Sequence, residues 1–170
     1  MKLVIISDTH GRHEEYGILE GDVLVHCGDV CDAFSKIPGE LERIDAWFGK
    51  QQFAAILCIG GNHDFSLQRR ARETRSVLPN AVYLEDARYE HNGVVFYGAP
   101  WVPELSGWAY YKDAAGLRAK WELIPAEVDV LITHTPPFHI LDSPLDASIH
   151  AGCPFLRQRV EESCPFGKRA

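Results

Sequence analysis

Lys2-Leu3-Val4-Ile5-Ile6-Ser7-Asp8-Thr9-His10 decides the fold class, because an unbroken apolar run from Leu3 to Ile6 ends on a carboxylate and an imidazole. The pairing recurs down the chain. Val23-Leu24-Val25 runs into Gly28-Asp29, Ala54 to Ile59 into Gly60-Gly61-Asn62-His63-Asp64, and Val128 to Ile132 into Thr133-His134. Buried parallel strands read as continuous apolar runs. Open α/β sheets bind their ligands outside the carboxyl ends of the strands. Four strand ends carrying Asp, His, Asp, Asn and His therefore read as one metal centre gathered from distant parts of the sequence.

Working outward, residues 2–7, 22–26 and 54–59 are expected to be buried strands. Residues 38–48 read as a helix, with Pro38 in its first turn, Leu41, Ile44 and Phe48 on one face and Gly49 as its stop. This block predicts a β-α-β-α-β unit. Short strands follow at 81–84, 87–90 and 94–98 and suggest a second, more antiparallel sheet, with His91-Asn92-Gly93 as a hairpin turn. Residues 100–111 form an aromatic loop. Residues 114–124 read as a helix with Leu117, Trp121 and Ile124 inward, 128–133 as a strand, 135–154 as an irregular proline-bearing loop, and 155–161 as a last helix. The expectation is a single α/β domain over residues 1–170.

Composition narrows the function classes. The net charge is −7 with no long basic run, which disfavours binding to a nucleic-acid polymer. Bound cations reverse the local field, so an anionic substrate remains compatible with that charge. No apolar stretch approaches the roughly 20 residues of a membrane span. The five cysteines lack a CxxC pair and read as reduced thiols of a cytoplasmic protein. Cys27 and Cys31 bracket Asp29, but no second pair completes a thiolate zinc set.

The candidate ligands are Asp8, His10, Asp29, Asn62 and His134. Asp8 and His10 are two apart, so both side chains reach the same side. Mixed carboxylate, imidazole and amide donors suit Mn, Fe or Zn. Phosphate esters are hydrolysed between two ions about 3.5–4 Å apart, and Asp29 is the candidate bridging carboxylate. Each residue also has an ordinary role when taken alone: an Asp beside Gly as a turn residue, an Asn in a loop, a hydrogen-bonded His.

Ser7-Asp8-Thr9-His10, Gly28-Asp29, Gly61-Asn62-His63-Asp64 and Thr133-His134-Thr135-Pro136-Pro137 resemble the calcineurin-like metallophosphoesterases. Gly98-Ala99-Pro100-Trp101, Trp108-Ala109, Leu141-Asp142 and Gly152-Cys153 resemble a narrower branch, the metallophosphoesterase-domain proteins with nucleotide phosphodiesterase activity. The resemblance implies a four-layer α-β-β-α sandwich of two mixed sheets and a two-metal centre that supplies an attacking hydroxide. By position, Asp8 and His10 hold one ion, Asp29 bridges, and Asn62 and His134 hold the other. His63 stays off the metals near the leaving-group oxygen, and Asp64 orients His63 or the backbone. His13, Asn62 and Trp101 are the expected substrate contacts. The aromatic loop of Trp101, Trp108, Tyr110 and Tyr111 either stacks a nucleobase or packs on the sheet edge.

The sequence departs from the family at its end. A Gly-His-x-His element is expected after a late strand, whereas Phe166-Gly167 is followed by Lys168. The expectation is a C-terminally shortened domain, short of one ligand at each ion and holding two ions or only one. A partner chain, or His139 or His150, would be alternative donors. An open sheet edge invites pairing, which predicts a homodimer. Two functions follow: a phosphodiesterase for a small nucleotide-like phosphoester, or a degenerate relative that binds a nucleotide or a partner with little turnover.

Overall fold

The computed structural model describes residues 1–34, 38–73, 77–143 and 149–163. The first sheet contains β1 (Leu3–Ile6), β2 (Val23–His26), β3 (Ala55–Cys58) and β4 (Val82–Tyr83) in the order β1-β2-β3-β4, every pair parallel. The second contains β5 (Ala87–His91), β6 (Val94–Ala99) and β7 (Val130–Thr133), with β5 antiparallel and β7 parallel to β6. The helices are α1 (Glu40–Phe48), α2 (Phe65–Glu73), α3 (Ala114–Glu122) and α4 (Pro154–Ser163).

Three separate cores define four layers. Along the strands of the first sheet, Leu24, Ile56 and Cys58 face α1 and α2, packing with Leu41, Ile44, Phe48 and Leu67. The alternate residues Val23, Val25, Ala55 and Leu57 face the second sheet and meet Phe96 and Ile132. On the far side of that sheet, Tyr97 and Ala99 pack with Leu117, Trp121 and Leu156 from α3 and α4. The period-two alternation of strand side chains thus assigns each residue to one of two cores. The order is helices, sheet, sheet, helices.

Several sequence expectations change. The first sheet is parallel throughout its described strands rather than mixed. β4 joins it by pairing with β3 instead of entering the second sheet. Between β1 and β2, where residues 11–16 read as a loop or a short helix start, a single 3₁₀ turn, His13–Tyr16, stands in the place of the first helix of the β-α-β-α-β unit. Helix α2 had no sequence signal, because its polar segment buries only Leu67. The hairpin at 91–94 holds: Asn92 and Gly93 both take positive φ, 51° and 76°, as a type I′ turn requires. The Phe166-Gly167-Lys168 segment and Cys164 lie outside the described residues.

Candidate metal centre

All four ligand-bearing strand ends converge at one end of the two sheets. The strand ladder continues into the loops: the N–H groups of Asp8, His10 and Gly11 donate to the carbonyls of Gly28, Asp29 and Val30 at 3.0, 3.0 and 2.9 Å. Asp8, His10 and Asp29 take left-handed φ values of 56°, 45° and 54°. Such conformations cost of order 1 kcal/mol or more for a residue with a Cβ and persist where the surroundings impose them. Here the inter-loop hydrogen bonds impose them and turn the three side chains toward one another.

Asp29 is the hub. It is only 3% exposed. Its Oδ2 lies 3.8 Å from His10 Nε2 and 3.9 Å from His63 Nε2. Its Oδ1 accepts the His63 backbone N–H at 2.8 Å and lies 3.5 Å from His134 Nε2. Two constellations with donor atoms within 4.8 Å of one another share this carboxylate: His10, Asp29 and His63, and Asp8, Asp29 and His134. Asp8 Oδ1 is also 3.9 Å from His10 Nε2, so it borders both.

His134 supplies the chemical test of a cation. Its Nδ1 donates to the Cys27 carbonyl at 2.9 Å, which leaves Nε2 with its lone pair in the neutral ring. That Nε2 faces Asn62 Oδ1 at 3.0 Å and Asp29 Oδ1 at 3.5 Å. With that tautomer, three lone-pair atoms converge on one point, the arrangement a bound cation takes up. The donor set therefore fits a divalent ion. Cys27 enters only through its carbonyl, since burial pushes its thiol up to about 11; the Cys31 thiol is raised further by burial and by Asp64. Thiolate ligation is thereby disfavoured.

Glycine is required at position 61 because a Cβ there would stand 2.3 Å from Asp29 Oδ1 and 2.7 Å from His134 Cε1. Gly61→Ala is expected to displace Asp29 and to weaken Mn²⁺ binding by about 10–100-fold, the range typical of disturbed ligand orientation. Titration calorimetry reads this directly, and unaltered affinity would show that the carboxylate does not need this position.

Two expected substrate contacts are corrected, and of the two readings of Asp64 the structure selects one. His13 does not reach a substrate: it is fully buried under Trp47, ring centroids 5.7 Å apart, with neither ring nitrogen hydrogen-bonded among the described residues. Trp101 is 4% exposed, donates to Asp86 at 2.6 Å and is covered by the Lys112 and Lys120 ammonium groups. Asp64 is fully buried and accepts N–H bonds from Cys31, Gly61 and Val30 at 2.7, 2.8 and 3.2 Å. It thus holds the backbone of two site loops and is a positioning residue. His63 Nδ1 has no partner among the described residues, so Asp64 does not orient that ring. Of the proposed substitutes, His150 bonds Asp142 at 2.8 Å and meets His139 with the rings tilted, centroids 4.1 Å apart, and neither belongs to the constellations around Asp29.

His63 is bordered instead by aromatic rings. Trp108 lies 4.8 Å from it and Phe34 6.2 Å. Phe65 and Phe34 flank Trp108 in turn at 6.4 and 5.7 Å. Phe34 and Phe65 had no sequence signal, since nothing local shows that an apolar ring stays in water.

Two buried groups beneath the site titrate in opposite directions. Burial, with His13, His134 and His10 nearby, lowers His26 to about 3. Burial raises Asp64 to about 7, against its three N–H donors. The unfolded chain protonates His26 near its ordinary pH 6.5, so its contribution to stability is present above that pH and is lost as pH falls toward 3. Asp64 favours the folded state increasingly as pH falls from 7 to about 4 and then changes no further. The two slopes offset each other between about pH 4 and 6.5. Below about pH 4 only the loss from His26 remains. Urea midpoints are therefore expected to change little down to about pH 4 and to fall steeply below it. A His26→Asn variant lacking that steep fall relative to pH 7 would tie it to this ring.

A family model for calcineurin-like phosphoesterases matches residues 1–162. The chain is similar to the human protein named metallophosphoesterase domain-containing protein 1, 30% identical over 94% of this chain and 56% of that protein. It is similar to a UPF0046 protein of Caenorhabditis elegans, 32% identical over 95% of this chain and 64% of the other. The chain thus spans little more than half the length of the human relative. A solved crystal structure shares the fold, with TM-score 0.65 and 14% identity over 95% of this chain and 80% of that one.

Proposed function

The chain belongs to the calcineurin-like phosphoesterase family, and on that premise we propose that it is a metal-dependent phosphodiesterase for a small nucleotide-like phosphoester. The observation that carries this is the pair of constellations sharing Asp29, with the His134 lone pair, Asn62 Oδ1 and Asp29 Oδ1 turned on one point. Motif position, rather than these groupings, which join His10 to His63 and Asp8 to His134, would give Asp8, His10 and Asp29 one divalent ion, Mn, Fe or Zn, and Asp29, Asn62 and His134 the second. When bound, such ions neutralise the phosphoryl charge and make a hydroxide nucleophile available at neutral pH.

The protein's own groups do the rest. Asp29 fixes the separation of the two halves through its two oxygens. The Cys27 carbonyl sets the His134 tautomer and aims Nε2 inward. His63 Nε2 stands at the open side of the centre, where it donates a hydrogen bond or a proton to the departing ester oxygen. The Asp64 carboxylate keeps the loops bearing Asp29 and Asn62 in register. Among the described residues no helix is long and apolar enough to cross a membrane. A second copy pairing along the edge of β1 that no other described strand covers, where Ile5 is 61% exposed, is proposed as the partner.

The test is hydrolysis of bis(p-nitrophenyl) phosphate. Chelator treatment is expected to abolish turnover, and added Mn²⁺ to restore it. Nucleotide binding with no turnover under Mn²⁺, Fe²⁺ or Zn²⁺ would replace this reading with that of a binding protein.

A further inference from the structure

Tyr110 lies in the aromatic loop, fully buried, and its backbone takes φ 55°, a left-handed conformation that costs free energy for a residue with a Cβ. Neighbouring backbone bonds hold it there. Its carbonyl accepts the Val102 N–H at 3.1 Å, and the Lys112 N–H donates to the Val102 carbonyl at 3.1 Å. This conformation sends the ring under the loop that follows β3. A Cβ on Gly60 would stand 2.3 Å from Tyr110 Cε2 and 2.8 Å from its Oη, so the ring lies directly against the glycine backbone. One residue earlier, the Ala109 N–H donates to the Asn62 carbonyl at 3.1 Å. Two neighbouring residues of one loop thus grip Gly60 and Asn62, on either side of Gly61.

The far end of the ring is held as well. Tyr110 Oη lies 2.7 Å from Tyr83 Oη, and Tyr83 Oη lies 2.7 Å from Glu85 Oε2. The direction of this chain follows from the acceptor at its end. An ionised carboxylate only accepts, so the Tyr83 hydroxyl donates to Glu85. Its single proton is then committed, and Tyr110 is the donor to Tyr83. Tyr83 belongs to β4 of the first sheet, whereas Tyr110 packs with Tyr97, Ala99 and Leu117 on the outer side of the second. The two hydroxyls therefore tie an edge strand of one sheet to the loop packed on the other, and the tie ends against the backbone that presents Asn62.

We propose that Tyr110 is a positioning residue for Asn62, and that Tyr83 and Glu85 lock it in place as a brace. The brace rests on the phosphoesterase reading for the ion that Asn62 would hold, not for its own existence. Its signature is an order of effects. Tyr110→Phe keeps the ring under Gly60 and leaves Tyr83 paired with Glu85. Tyr83→Phe acts one hydrogen bond farther from Asn62, yet it strands the buried Tyr110 hydroxyl without its acceptor. Stranding a buried polar group costs more than losing a bond whose other partner stays satisfied. Removing both hydroxyls strands neither, so the second substitution repairs the first.

The test is amide hydrogen exchange of Ala109, followed by NMR in the metal-free chain, with Leu24 and Leu57 of the central strands as internal reference. Relative to that reference, exchange at Ala109 is expected to quicken about 3-fold in Tyr110→Phe and about 10-fold in Tyr83→Phe, and to return to about 3-fold in the double variant. A merely structural loss quickens the reference amides as much as Ala109 and leaves the ratio at one. Calorimetry then follows Mn²⁺. The ion at Asn62 and His134, identified by its loss in Asn62→Ala, is expected to weaken in the same order, and the ion at Asp8 and His10 to keep its affinity. Ala109 exchange that keeps pace with the reference, a double variant no better than Tyr83→Phe, or Mn²⁺ affinities unchanged in Tyr83→Phe would overturn the brace. A wild-type chain that binds no Mn²⁺ defeats the phosphoesterase reading instead, and the exchange order then decides the brace by itself.

Discussion

Asp29→Asn is expected to lower metal-dependent phosphodiester turnover by about 10²–10³-fold while the chain stays folded. The carboxylate is buried, and its oxygens face His10, His63 and His134 at 3.8, 3.9 and 3.5 Å. Asparagine has the same shape and keeps an oxygen for the His63 N–H. It loses the negative charge that both halves of the centre share and places an amide NH₂ among imidazole nitrogens. Lewis-acid stabilisation in such sites supplies several kcal/mol, and about 3–4 kcal/mol corresponds to this loss. Asp8 should behave differently. Its side chain is 57% exposed and meets the centre from one side, so Asp8→Asn should raise the Mn²⁺ requirement more than it lowers turnover at saturating metal. Kinetics across Mn²⁺ concentrations, with thermal unfolding of each metal-free variant, separate the two. Asp29→Asn within about threefold of wild-type turnover would remove Asp29 from the hub.

The outline of this centre was legible in the sequence because its signal is local. An apolar run that stops on Asp, His or Asn reports both a buried strand and the polar group at its end. Four such stops identified Asp8, His10, Asp29, Asn62 and His134, and the structure brings all five together. What was not legible depends on where a loop travels. Trp101 and Trp108 lie in one loop and look equivalent as sequence. Its path, with Glu104 and Tyr110 at positive φ and Ala109 bonded to Asn62, turns Trp108 toward His63 and packs Trp101 behind the second sheet. His13 reads as a loop histidine near Asp8, yet the 3₁₀ turn folds it under Trp47. Helix α2 escaped notice because one buried leucine produces no periodicity. The two-residue strand β4 could not reveal its sheet, since membership depends on a partner 25 residues earlier, Leu57 opposite Val82.

Asp64 shows how a residue of the Gly-Asn-His-Asp motif serves the centre without touching a ligand. Its two oxygens accept three backbone N–H groups, two from the residues just after Asp29 and one from Gly61, just before Asn62. Asparagine offers only one acceptor atom, and its NH₂ would confront the remaining N–H groups in a fully buried pocket. Leaving a buried donor unpaired costs about 1–3 kcal/mol, and more where the partner was charged. Asp64→Asn is therefore expected to destabilise the chain by about 2–4 kcal/mol, a fall in Tm of roughly 5–15 °C for a domain of this size. Because the released backbone carries metal ligands on both sides, Mn²⁺ affinity should fall with it. The acid limb of the pH–rate profile distinguishes positioning from proton transfer. His63 Nδ1 has no partner among the described residues, so the activity that survives in Asp64→Asn should keep the wild-type profile once metal is saturating. A shifted acid limb would place Asp64 in the proton path, and an unchanged Tm would show that the three N–H bonds do not hold the loops.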